Sequence, residues 1–182
     1  MSLKLQMNNL KNIKKYLQKN KINACLISKN NEFLNEFTDT HENFLQKISK
    51  FSGSMGFALI YQNKQYLYVD GRYINQARIQ AKEFKIIKLK NFKKDIFKIL
   101  KSNKKILLDP KTFPYNFFHN MNLKNLIFFN SVKNFIKQDK VFYLTKNFSG
   151  ELPFEKINKL NKKLNLKKKE AFLIYHSENI GW

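Results

Sequence analysis

The sequence predicts an α/β fold: a mixed β-sheet layered with helices, then the first helix and strand of a second α/β domain. Three observations predict it. Short apolar runs alternate with stretches in which apolar residues recur every three or four positions. Turn pairs such as Asp70-Gly71 and Asp109-Pro110 close the runs. Hydrophobic residues make up 43% and aromatic residues 15%, with 18 Phe among them, enough to bury a core.

The elements follow in order. Residues 3–19 place Met7, Leu10, Ile13 and Leu17 on one stripe between lysines, an amphipathic helix. Residues 22–28 form a short apolar run, a buried strand. Residues 31–49 mix acids, Asn and aromatics, a loop with a turn or two of helix. Residues 51–56 are a glycine-serine turn. Strands over 55–62 and 65–70 follow, joined by Asn63 and Lys64 as a hairpin. Asp70 is placed to cap a helix that begins at Arg72. Strands over 84–90, 104–109 and 126–130 alternate with helical patterns at 96–100 and 114–121, and 132–138 has no clear pattern.

The organisation changes near 140–150. Pro153 suits the first turn of a helix in which Ile157, Leu160 and Leu164 recur. Residues 170–176 then read as one apolar strand. A helix and a lone two-faced strand do not bury themselves. The expected domains are therefore 1–140, a linker over 141–150, and 151–182 as the truncated start of a second domain.

The formal charge is +22, from 35 Lys+Arg against 13 Asp+Glu. Charged residues total an ordinary 26%, and the lysines spread along the whole chain with many Asn, Ile and Phe. That is a compositional bias rather than a patch, and it argues against a dedicated nucleic-acid partner. The lone Cys25 lies in an apolar run and forms no disulfide within the chain. No secretory leader and no apolar run of 18 residues is evident, so a cytoplasmic setting without a membrane is expected.

Only two of the cations are arginine, Arg72 and Arg78. Arginine presents a planar, always-charged fork that lysine does not replace. Other chemistry is sparse. His41, His119 and His176 sit in no metal-ligand spacing. No nucleophile elbow, P-loop or dinucleotide fingerprint occurs. The glycines of 51–56 precede a strand rather than a helix, so they serve a tight turn and not a phosphate.

What remains is a composite of three segments: Asn31 to Phe37, Phe51 to Gly56, and Asp70 to Ala77. Together they resemble the N-terminal domain of the three-domain Xaa-Pro aminopeptidases, of the creatinase or "pita-bread" metallopeptidase superfamily. Asp70, Gly71, Arg72, Tyr73, Gln76 and Ala77 match that family's Asp-Gly-Arg-Tyr-x-x-Gln-Ala element. Phe51, Gly53, Ser54 and Gly56 match its glycine turn. Its Asp-x-His-x-Ser-Glu-Tyr element is degraded to Asn31, Phe33, Asn35, Glu36 and Phe37, of which Glu36 matches. Residues 148–151, Lys156 and the stretch 171–182 resemble the start of the family's second domain. Prolidase and creatinase resemble the chain less well.

The resemblance implies hydrolysis of the bond before a proline by a pair of metal ions, usually manganese, held in a C-terminal domain. The metal ligands have no counterpart in these residues, so neither a catalytic nor a metal-binding residue is expected here. It also implies a homodimer in the full-length enzyme and a peptide substrate. Arg72 matches an arginine that reaches toward substrate; bracing of its own loop through Glu36 or Asp70 is the alternative. Asp70, Gly71, Tyr73, Gln76, Glu36, Gly53 and Gly56 are expected to support that loop. A stand-alone binding or regulatory module and a basic nucleic-acid binder are the competing functions.

Overall fold

The computed structural model describes residues 9–36, 38, 43–119, 123–129 and 144–181. Two compact units divide the chain, 1–133 and 134–182. Met7, Phe37, His41, the residues 132–138 and residues 141–143 of the linker lie outside the described residues.

In the first unit a six-stranded mixed sheet runs in the order β4-β3-β2-β1-β5-β6. The strands are β1 (Ala24–Ser28), β2 (Gly56–Tyr61), β3 (Lys64–Val69), β4 (Lys85–Lys88), β5 (Ile106–Leu108) and β6 (Leu126–Phe128). Strand β2 is antiparallel to both β1 and β3, whereas β3–β4, β1–β5 and β5–β6 pair in parallel. Five strands thus end at one edge and β2 begins there.

Every residue of β1 is buried. Its side chains alternate between two apolar layers, Cys25 and Ile27 on one face and Ala24 and Leu26 on the other. The first face is covered by α1 (Leu10–Lys19), α2 (Phe44–Ser49) and α3 (Ile74–Gln80), through Ile13, Leu17, Leu45, Ile48 and Ala77. The second is covered by α4 (Phe92–Lys101) and α5 (Tyr115–Phe118), through Phe92, Ile96, Ile99 and Phe117. A central strand covered on both faces needs an unbroken apolar run, and that is how residues 24–27 read.

Local chemistry sets the ends. Asn9 caps α1 by accepting from Asn12 N–H at 2.9 Å, and Asn43 caps α2 by accepting from Gln46 N–H at 3.0 Å. The β2–β3 hairpin turns at Gln62–Asn63, one residue earlier than the sequence suggests. Both take left-handed φ, 49° and 62°, as the twist-matched two-residue hairpin requires.

In the second unit, α6 (Lys146–Ser149) and α7 (Pro153–Leu164) are followed by α8 (Ser177–Gly181). Pro153 sits in the first turn of α7, and Glu155 accepts from Leu152 N–H at 2.9 Å. The strand expected over 170–176 is absent: residues 171–176 are irregular and exposed, with Leu173 and Tyr175 each at least 80% accessible. The apolar run is real, but no described segment pairs with it, and a strand exists only through its ladder.

Burial pushes the Cys25 thiol well above its ordinary pKa. A thiol reagent such as dithiobis-nitrobenzoate is expected to leave Cys25 untouched in the native chain and to react stoichiometrically once the chain is unfolded in urea.

Candidate functional site

The three matched segments converge at the edge where β3 ends. Asp70 follows β3 and caps a 3-10 turn, Gly71–Tyr73, that leads into α3. Its Oδ1 accepts from the Arg72 backbone N–H at 3.0 Å and from Arg72 Nε at 2.9 Å. The expected cap is therefore there, on the 3-10 turn rather than on the helix itself.

Arg72 is held by its own loop and yet open. Its side chain is 74% exposed, and its guanidinium lies 5.4 Å from the Tyr73 ring centroid. Asp70 takes Nε, while among the described residues the two Nη atoms have no partner. The fork is fixed at its base and free at its tips. Of the two bracing partners the sequence offers, the direct contact is with Asp70; Glu36 instead accepts from Ser54 Oγ at 3.1 Å.

Beneath Arg72 the support runs inward. The Tyr73 ring meets Phe51 edge-to-face at 5.9 Å, and its hydroxyl shares a 2.8 Å hydrogen bond with Ser54 Oγ. Phe51 is wholly buried. Gly53 makes that possible: a Cβ there would stand 2.2 Å from Phe51 Cζ. Gly56 is tight as well, since a Cβ would meet both the Phe51 ring and the Tyr68 carbonyl at 3.2 Å. Gly71 has open space around it. Gln76 Nε2 donates to Ser52 Oγ at 3.0 Å, tying α3 to the glycine turn.

Several contributors escape a reading of the sequence. Gln80 accepts from Ser52 N–H at 3.0 Å and donates back to Ser52 Oγ at 2.9 Å. Its spacing from Gln76, one helical turn, is the signal that would have found it. Lys29 is buried, and its Nζ donates to the Glu36 carbonyl at 2.5 Å and to Thr38 Oγ1 at 2.9 Å. Burial pushes its amine pKa down, partly opposed by the Glu36 carboxylate. Asn31 Oδ1 accepts from Phe33 N–H and Asn35 N–H, both at 3.1 Å, so it keeps the acceptor that an aspartate would supply. Arg78 is exposed on α3.

The Arg72 N–H first, and then its guanidinium, hold the Asp70 carboxyl below the usual aspartate range. Asp70 thus binds its proton less readily in the folded loop than in an unfolded chain. The cap is fully present above the ordinary aspartate pKa and is lost as pH falls through the lowered folded value. A carboxyl-carbon NMR titration is expected to place Asp70 below the exposed aspartate value, and Arg72→Ala is expected to move it back up.

Among the described residues, no three His, Cys, Asp or Glu side chains form a set that could hold a metal ion. His119 and His176 are exposed. No helix of the described residues is long and apolar enough to cross a membrane.

The first unit is, by class, a three-layer α/β domain with an ordered arginine-bearing loop where β3 ends. The chain belongs to the creatinase/prolidase N-terminal domain family, whose sequence model matches residues 9–145. It is 24% identical over 194 aligned positions to a probable Xaa-Pro aminopeptidase P of Laccaria bicolor, and 23% identical over 191 to one of Coprinopsis cinerea. Those alignments take in 95% and 93% of this chain but 30% and 31% of the relatives. The chain therefore spans under a third of the curated relatives it matches, and its homology is to the N-terminal domain of Xaa-Pro aminopeptidases. Among solved structures, the X-prolyl aminopeptidase of Caenorhabditis elegans superposes with a TM-score of 0.55 at 22% identity. The match covers 89% of this chain and 30% of that one, and it shows the fold. That protein is described as a cytosolic enzyme with a di-nuclear active site. The described residues here do not fit a dinuclear centre.

Proposed function

We propose that this chain is the N-terminal, non-catalytic portion of a cytoplasmic Xaa-Pro aminopeptidase, and that its Arg72 loop borders the substrate entrance of a homodimer. The observation that carries this reading is the loop itself. Asp70 orients the base of the guanidinium and leaves both Nη atoms unpaired and accessible, as a carbonyl-rich or carboxylate-bearing peptide would need. The near-complete alignment of the chain to less than a third of two Xaa-Pro aminopeptidases supports it. On this reading, residues 151–182 open a second domain. Their accessible Phe154, Ile157, Phe172 and Leu173 are the side such a domain would cover. Two manganese ions would act in the catalytic domain, generating hydroxide near neutral pH.

The test compares two proteins with an Arg-Pro-Pro peptide and manganese. The chain alone is expected to release no arginine. A longer protein that joins this chain to a domain carrying two Asp, one His and two Glu as metal ligands is expected to release it. Clear turnover by the chain alone would overturn the division of labour. Failure of that longer protein to release arginine would favour a binding module.

A further inference from the structure

The edge that carries Arg72 also holds a cleft that the proposed peptidase role does not use. Strands β3, β4 and β5 end at this edge and β2 begins there. Ligands of open α/β sheets sit outside the carboxyl ends of parallel strands. Here the space between the ends of β3 and β4 and the segment 113–117 is a cleft of about 920 Å³. Small-molecule sites occupy roughly 300–1,000 Å³.

Its floor is four phenylalanines set nearly parallel. Phe57 and Phe92 stack at 4.3 Å and 16°, and Phe113 and Phe117 at 4.6 Å and 28°. Phe92–Phe117 and Phe57–Phe113 close the square at 5.9 and 5.8 Å, each 22° apart. Phe92 and Phe113 are buried, whereas Phe57 and Phe117 are only half-buried and keep ring surface on the cleft. Phe57 and Phe117 each bring part of a ring to the cleft, where the flat ring of a ligand can pack offset or edge-to-face.

The rim is cationic. Lys88, Lys90 and Lys93 line the cleft and are exposed, and among the described residues no carboxylate pairs with them. Asp70 also lines it, but its charge is engaged by Arg72. An aromatic lining beside three uncompensated ammonium groups suits a ligand that is aromatic at one end and anionic at the other. We propose that this cleft binds a planar aromatic anion of the mononucleotide kind, its base on the Phe57–Phe117 floor and its phosphate among Lys88, Lys90 and Lys93.

Calorimetric titration of the full 182-residue chain with AMP tests this. AMP is expected to bind with a Kd below about 1 mM, and adenosine and inorganic phosphate each at least about tenfold more weakly. Phe117→Ala is expected to weaken AMP about fivefold or more, since ring stacking is lost. The double variant Lys88→Gln, Lys93→Gln is expected to bring AMP down to the level of adenosine. Lys162→Gln with Lys163→Gln, which do not line the cleft, are expected to change nothing. The proposal is overturned if inorganic phosphate binds as well as AMP, because the general positive charge then explains everything. It is equally overturned if Phe117→Ala leaves AMP binding intact while the variant keeps its native circular dichroism, or if an Asp-Phe dipeptide binds more tightly than AMP. The chain's expected lack of peptidase activity is a separate readout, so the two ideas fail independently.

Discussion

Replacing Phe51 with alanine is expected to cost about 3–5 kcal/mol of stability, the usual range for deleting a buried phenylalanine. Phe51 is wholly buried and stands between the α2–β2 core, the glycine turn and the Tyr73 ring. Its loss empties a site that the backbone of 51–56 cannot collapse into, since Gly56 already lies close to the Tyr68 carbonyl. The companion variant, Gly53→Ala, is expected to cost about 1–3 kcal/mol by overpacking. The added methyl would stand 2.2 Å from Phe51 Cζ, and a ring with no accessible surface has little room to move. The two effects share one cause, so they are expected not to add. In a Phe51→Leu background, Gly53→Ala should cost much less than in the native chain, and a double-mutant cycle by urea denaturation reads the difference. Full additivity would mean that Gly53 is needed for its backbone and not for the ring.

That coupling also marks what the sequence could and could not disclose. The sheet was legible because its central strands obey a simple rule. Residues covered on both faces are apolar throughout, and Ala24 to Ile27 are. The site loop was legible through its match to the Asp-Gly-Arg-Tyr-x-x-Gln-Ala element, and the Asp70–Arg72 contact in it is local, whereas Tyr73 and Gln76 act by reaching back to the glycine turn. The glycine turn was visible, but its reason was not. That Gly53 serves the Phe51 ring depends on a rotamer and a tertiary contact, neither of which has a sequence period. The role of Lys29 was hidden for a related reason: among more than thirty lysines in a biased composition, one buried ammonium carries no signal. The strand expected at 170–176 failed differently. Apolarity specifies that a segment has to be covered, and only a partner decides whether the cover is a ladder.

Arg72→Lys is expected to lower kcat/KM for an Xaa-Pro peptide about ten- to hundredfold in the longer enzyme proposed above, with the midpoint of thermal unfolding unchanged. Lysine keeps the charge but offers one compact ammonium where the guanidinium has two free Nη donors beyond the Nε held by Asp70. A single ammonium cannot both donate to Asp70 and present a planar fork to a substrate. Unfolding should not shift because the Asp70–Arg72 pair is exposed, and exposed pairs contribute little to stability. Asp70→Asn separates the two roles. Its amide oxygen still caps the Arg72 N–H, but the attraction that orients the guanidinium is gone. Substrate contact through an oriented arginine predicts an intermediate loss for Asp70→Asn and the full loss for Arg72→Lys and Arg72→Ala. Bracing alone predicts that Asp70→Asn matches Arg72→Ala and that both lower the unfolding midpoint. A rate that survives Arg72→Ala would remove this arginine from substrate recognition.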